Sequence, residues 1–270
     1  VRIEPIVYDQ GRLLVPQHTF DLLAARLGPD QRSARLRPIN AIVIDAGHGG
    51  PDPGANRTIT VDGEPVTHRE KDLVLDMARR VQRELEKLVD GPEIVLTRDT
   101  DVFLELQERS DIANGLRGDL LDNVLFVSLH VNASADVWTD ARGVEIYYLP
   151  PSHRRQVLDE EMAASLQPDV AAIVNSLKED EFTVESVLMG KSVLNAISEQ
   201  VPETPTDRDI RVANFYVVRE VRMPSILIET GFINNRQDLA LLTTPEYRER
   251  LSVAIATGIA DYVRDFEGVR

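Results

Sequence analysis

Ile42-Val43-Ile44-Asp45-Ala46-Gly47-His48-Gly49-Gly50 decides how this 270-residue chain is read, because a run of β-branched residues stops abruptly at a histidine set among glycines. Such a run reads as a buried strand, and the glycines as the turn that ends it. In an open α/β sheet ligands bind outside the carboxyl ends of the strands, so His48 stands where a site is expected. Two further runs have the same form. Val124-Leu125-Phe126-Val127-Ser128-Leu129-His130 ends in a second histidine, and Ser225-Ile226-Leu227-Ile228-Glu229 ends in a carboxylate.

Outward from these strands, apolar runs and helical patterns alternate from Ile39 onward, which is the pattern of an α/β sheet. Strands are expected near 41–45, 93–97, 124–129, 143–149, 211–218 and 225–229. A helix carries Leu73, Val74, Met77, Ala78, Val81, Leu85 and Leu88 on one stripe and ends at Gly91-Pro92. Further helices are expected near 105–116, 155–166, 169–178, 184–199 and 246–265. The expected fold is one three-layer α/β domain with a central mixed, mostly parallel sheet flanked by helices, spanning 39–270. Residues 1–38 read as a short N-terminal arm or a remnant of a preceding domain, with a brief helical pattern from Phe20 to Leu27.

Composition narrows the chemistry. A net charge of −15 disfavours a nucleic-acid partner, which needs clustered Lys and Arg. With no cysteine, disulfides, thiol nucleophiles and Cys-zinc sites are excluded, and any metal must be held by His and carboxylates. No apolar stretch approaches the roughly 20 residues of a membrane span. The chain begins at Val1 without a signal peptide, and is read as the mature part of a longer exported precursor.

Catalytic zinc sites commonly take three protein ligands and leave a fourth position open. His48, His130 and one carboxylate could supply the trio, and Glu70, in His68-Arg69-Glu70-Lys71-Asp72-Leu73, is the best-placed carboxylate because it opens the long helix. Each of the three has an ordinary structural alternative, a hydrogen-bonded strand-end His or a Glu complementing the helix dipole. Gly49-Gly50-Pro51-Asp52-Pro53-Gly54 has the glycines of a phosphate loop but not its Gly-Lys-Ser/Thr ending, which argues against a nucleotide site.

Several motifs in order resemble the zinc-dependent N-acetylmuramoyl-L-alanine amidases that trim bacterial peptidoglycan. They are Asp45-Ala46-Gly47-His48-Gly49-Gly50 with Asp52 and Gly54-Ala55, Glu70-Lys71-Asp72-Leu73, Thr97-Arg98-Asp99, Ser128-Leu129-His130-Val131-Asn132-Ala133-Ser134, and Ile228-Glu229-Thr230-Gly231-Phe232-Ile233-Asn234-Asn235. The resemblance spans roughly 39–266. It implies Zn²⁺ held by His48, Glu70 and His130, and Glu229 as the catalytic carboxylate. Arg98, Asn132 and Glu145 are weaker candidates for substrate contacts or for support of the ligands. The implied reaction is hydrolysis of the amide joining N-acetylmuramic acid to L-alanine, in the periplasm or outside the cell. The alternatives are another zinc hydrolase of wall peptides and a non-catalytic peptidoglycan-binding module.

One segment departs from the shortest family members. Residues 152–190 carry Asp159-Glu160-Glu161 and Glu179-Asp180-Glu181, and resemble the insertion of division-associated amidases. That resemblance implies a helix covering the site and a protein activator that removes it. The segment's acidic character and its place after a strand bordering the site add the expectation of a carboxylate (Glu160, Glu161, Glu179, Asp180, Glu181 or Glu185) on the metal's open position, the alternative being a solvated surface excursion.

Overall fold

The computed structural model describes residues 38–118, 123–134, 137–153, 157–158 and 160–268, together with two short strands near the N-terminus. The expected helix at Phe20 to Leu27 lies outside the described residues. The chain divides into two compact units, Val1–Arg37 and Pro38–Arg270. The first contains β1 (Val7–Asp9) antiparallel to β2 (Arg12–Leu14).

The second unit is built on a six-stranded mixed sheet. Its strands are β3 (Ile39–Ala46), β6 (Glu93–Leu96), β7 (Asn123–Asn132), β8 (Glu145–Tyr148), β9 (Ile210–Val212) and β10 (Ser225–Phe232), in the order β6-β3-β7-β10-β8-β9. β3, β6, β7 and β10 run parallel, whereas β8 is antiparallel to β10 and β9 follows β8. Ile42, Val43, Ile44, Phe126, Val127 and Ile226 are fully buried, as expected of strands covered on both faces.

Helices cover both faces. One face is packed by α1 (Glu70–Leu88), α4 (Pro168–Gln200) and α7 (Pro245–Glu267), which bury Met77, Val81, Val193, Leu251 and Ile255 against Ile42 and Ile44. The other carries α2 (Leu106–Gly115) and α5 (Tyr216–Glu220), whose Ala113, Val217 and Val218 meet Val43, Phe126 and Leu227. The remaining helices are α3 (Glu160–Ser165) and α6 (Arg236–Leu242), the latter capped by Asn235, whose side chain accepts from the Gln237 and Asp238 amides.

Two expectations of secondary structure are corrected. The stretch 211–218 is not one strand, because β8 gives out at Tyr148, opposite Val212, and Tyr216–Glu220 instead forms a helix that buries Val217 and Val218. The helices expected at 169–178 and 184–199 are one helix of 33 residues. Its internal Gly190 does not break it but lets it lie close on the sheet, where an added Cβ would meet Ile146 and Ile210 at 3.3 Å. Sequence reading also missed the hairpin of β4 (Asn56–Val61) and β5 (Glu64–Arg69), although its Asp62-Gly63 turn is the strongest short-range hairpin signal. Both turn residues have positive φ, 52° and 89°. The hairpin matters to the site because β5 runs straight into Glu70.

Candidate metal centre

His48, Glu70 and His130 come together at the carboxyl ends of β3 and β7, each offering a ligand atom within 4.8 Å of the others. His48 Nε2 lies 3.0 Å and His130 Nδ1 2.9 Å from the same oxygen, Glu70 Oε1. The two rings meet edge to face at 5.0 Å.

The backbone dictates this convergence. Glu70 opens α1, and the loop before the hairpin caps that helix start: the Glu70 and Lys71 amides donate to the Ala55 and Pro53 carbonyls. The Ala55 and Val131 amides in turn donate to the two Glu70 oxygens, at 2.8 and 2.9 Å. Gly47 and Gly54 leave the room that the ligands fill. A Cβ on Gly47 would sit 2.3 Å from the His130 ring, and one on Gly54 2.6 Å from Glu70 Oε2. His48 itself has φ 59°, a conformation that a side chain other than glycine adopts at a cost of about 1–3 kcal/mol and that persists only when its surroundings enforce it.

Two buried arginines provide that enforcement. Arg109 donates to the carbonyls of Ala46 and His48, and Arg98 to those of Ala46, Gly47, Thr100 and Lys71. Arg109 is charge-balanced by Asp45 at 2.8 Å, which also accepts from Thr97 and Ser128. Burial would raise the Asp45 pKa, but Arg109 and the two hydroxyls outweigh it and hold it below the usual value. Arg98 is thereby placed on backbone carbonyls. Asp52 Oδ2 accepts from the other His48 nitrogen, Nδ1, at 2.8 Å, and so fixes the ring. Sequence reading missed Arg109 and the role of Asp52; one is a lone Arg on an amphipathic helix and the other a loop Asp, and neither type signals its partner.

The electrostatics follow from three ionisable groups in one place. Burial opposes ionisation of Glu70, but hydrogen bonds from His130 and His48 override it and carry its pKa well below the usual carboxylate range. Burial likewise works against a charged His48, yet Glu70 and Asp52 push it up to about 9, and His130 is raised for the same reason. The residues fit a divalent cation of zinc type. The donors are two imidazoles and one carboxylate, and separations of 2.9–3.0 Å are within a few tenths of the roughly 3.3 Å between ligands bound at about 2.0–2.1 Å in a tetrahedron. A bound cation would displace the imidazole protons.

Glu229 is aligned with His130 across the β10–β7 pair. Its Oε2 is withdrawn from solvent and has no hydrogen-bond partner among the described residues. Burial is the main reason its pKa is pushed up to about 7, with Glu70 and Glu145 adding to the effect and His130 opposing it. A cleft of about 480 Å³ opens over His48, His130 and Glu229, with Phe103 and Phe215 among its lining residues. Glu145 faces Glu229 from β8, and Asn132 donates to Glu145 at 2.8 Å. Asn132 and Glu145 thus form a group beside Glu229 and not around the triad.

Two carboxylates of the acidic segment lie elsewhere. Glu181 and Glu185 line a small cavity with Ile39, Asn123 and Pro224, at the amino ends of β3, β7 and β10, and Glu185 accepts from Tyr262 at 2.9 Å. Val157 and Leu158, held by Asn175, are also tied through Arg117 to Arg222 beside that edge. An eight-residue strand is roughly 26 Å long, so these carboxylates are a full strand length from the triad. Glu179 and Asp180 precede them on the same helix. The expected placement of a carboxylate on the metal's open position is therefore corrected for Glu181 and Glu185. The side chains of Glu160 and Glu161 lie outside the described residues.

The fold and site together are an α/β sheet that carries, at its carboxyl edge, a His-Glu-His group able to hold a metal ion and a sequestered carboxylate beside it. Residues 42–261 match the family described as N-acetylmuramoyl-L-alanine amidase, and the chain belongs to it. It is 30% identical over 253 residues to N-acetylmuramoyl-L-alanine amidase AmiC of Escherichia coli O6:H1, covering 89% of this chain and 57% of that protein. It is likewise 30% identical over 223 residues to LytC of Bacillus subtilis, covering 83% of this chain and 35% of that protein. The chain thus spans between about a third and somewhat over half of these relatives. Among solved structures, AmiC2 of Nostoc punctiforme superposes with a TM-score of 0.59 at 33% identity, over 83% of this chain and 97% of that one.

Proposed function

We propose that this chain hydrolyses the amide between N-acetylmuramic acid and L-alanine in peptidoglycan, with Zn²⁺ held by His48, Glu70 and His130. The observation that carries the reading is the pairing of a converged His-Glu-His trio with Glu229, whose Oε2 is buried without a partner. When bound, the cation supplies Lewis acidity, polarising the scissile carbonyl and making water a better nucleophile. Glu229 takes the proton of the attacking water and returns it to the departing L-alanine nitrogen, a task suited to a carboxylate whose pKa lies near neutrality. Asp52, Arg98 and Arg109 hold the His48 loop in its strained conformation. Phe103 and Phe215 give the cleft an apolar lining.

The substrate places the protein in the cell envelope, in wall remodelling or daughter-cell separation. Among the described residues no helix is long and apolar enough to cross a membrane. A protein activator acting on 152–190 belongs to the same reading, but its surface would be the exposed stripe Leu177, Val184 and Leu188 on α4, and its action indirect. Digestion of purified sacculi tests the reaction. Release of intact stems beginning with L-alanine, lost on chelation and restored by zinc, is expected; cleavage within the stem would make the chain a peptidase, and binding without release a recognition module.

A further inference from the structure

At the carboxyl edge the sheet carries a row of functional side chains beyond the metal: His130 on β7, Glu229 on β10, Glu145 on β8, then Arg211 on β9 and Arg208 just before it. Glu145 is almost fully buried, and its two oxygens are divided. Oε2 accepts from Asn132 and Tyr147, whereas Oε1 alone takes both Arg208, at 2.6 Å, and Arg211, at 2.9 Å. One carboxylate thus faces two guanidiniums, leaving a surplus positive charge. Each arginine has five N–H donors, and among the described residues each makes a single hydrogen bond, to Glu145. Both side chains stay open to solvent, at 34% and 49% exposure, and Arg208 is steadied by the Phe232 ring at 5.3 Å. In a chain of net charge −15 an exposed, half-satisfied arginine pair beside the catalytic carboxylate stands out against its surroundings.

We propose that Arg208 and Arg211, anchored by Glu145, form a subsite for a free carboxylate on the peptide side of the scissile amide. The proposal rests on the amidase reading of the neighbouring metal-type site and adds the direction in which the substrate lies. Adjacent strands are about 4.8 Å apart, so Glu145 lies roughly 10 Å from the His130 strand. An extended peptide advances about 3.3–3.6 Å per residue, which brings the second or third residue after the cleaved bond over the arginines. Guanidinium and carboxylate match in planar, paired donors and acceptors, and the bond is charge-assisted. The arginines would therefore select stems that keep that carboxylate over stems in which it is a carboxamide.

The test compares muramyl tripeptides bearing a carboxylate or a carboxamide at the second stem residue, and a second pair differing at the third. The readout is the ratio of kcat/KM within each pair for the unaltered protein, Arg211→Gln, Arg208→Gln and Arg211→Lys. Arg211→Gln leaves Arg208 to neutralise Glu145, so folding is retained. The expected result is a preference for the carboxylate in one pair that falls about tenfold in Arg211→Gln and Arg208→Gln and is partly rescued in Arg211→Lys. Ratios that stay constant while the protein cleaves both substrates overturn the subsite alone, and an equal loss on both members of a pair makes the arginines a structural brace. If the unaltered protein cleaves none of the four, the amidase reading itself falls.

Discussion

The two edges of the central sheet are built on different physics. At the carboxyl edge β3, β7 and β10 end in ionisable side chains, a non-glycine residue sits at φ 59°, and buried Arg98 and Arg109 hold the loop by its carbonyls. At the amino edge the same strands begin among apolar groups, and the polar contacts satisfy backbone and a tyrosine hydroxyl: Asn175 to the Val157 amide, Arg117 to Arg222, Glu185 to Tyr262. Among the described residues, the strained His48 and the metal-type group lie at the carboxyl edge. The comparison teaches that acidic residues belong to a site only when the topology turns them toward it, since both edges carry carboxylates and one alone gathers them with histidines.

The largest expected effect is at the metal-type group. His48→Ala and His130→Ala should each abolish stoichiometric zinc and peptidoglycan hydrolysis together, measured by metal analysis and sacculus digestion. Full zinc content in both variants would erase the distinction between the edges at its root. Glu229→Gln keeps shape while removing basicity, so turnover should fall about 10²-fold or more with zinc retained. Near-normal turnover would move the proton transfer to another group.

Much of this edge was legible in the sequence because strand ends punctuate it. A β-branched run followed by Gly-His-Gly, or one ending in Ser-Leu-His, carries period and chemistry in consecutive residues, and β3, β7 and β10 appear where these runs predict. Glu70 was legible because it opens a strongly amphipathic helix. What stayed hidden depends on contacts between residues far apart in sequence. Arg109 reaches Asp45 across 64 positions, and Arg211 reaches Glu145 across 66. The 211–218 stretch misled for a related reason: its alternation suits a strand, but the length of its partner β8 decides where pairing stops.

Removing the brace should cost stability more than chemistry. Arg109→Leu leaves Asp45 buried without its counter-ion, and breaking such a pair from one side is worth about 3–5 kcal/mol, read as a lower denaturation midpoint. The sign with pH follows from Asp45. Its folded pKa is depressed, so its contribution is present above the unfolded value near 3.8 and is lost as pH falls through the folded one. Asp45→Asn should therefore flatten the acid limb of the stability profile while lowering stability near neutrality. An unchanged acid limb would show that Asp45 is not the group responsible.

The smallest expected effect is at the amino edge, and it separates two accounts of the acidic helix. If a carboxylate of α4 held the cleft shut, Glu181→Ala or Glu185→Gln would raise basal hydrolysis. The geometry predicts otherwise, because both residues lie at the strand beginnings, a strand length of roughly 26 Å from His48 and His130. Glutamine at 185 also keeps an acceptor for the Tyr262 hydroxyl, whose loss would leave a buried donor unpaired at about 1–3 kcal/mol. Both variants should then hydrolyse sacculi within about twofold of the unaltered protein, inside the ±0.5 kcal/mol usual for peripheral substitutions, with unchanged zinc content. A several-fold rise in rate from either would mean that the helix restrains the cleft through the body of the sheet, and that the two edges are coupled after all.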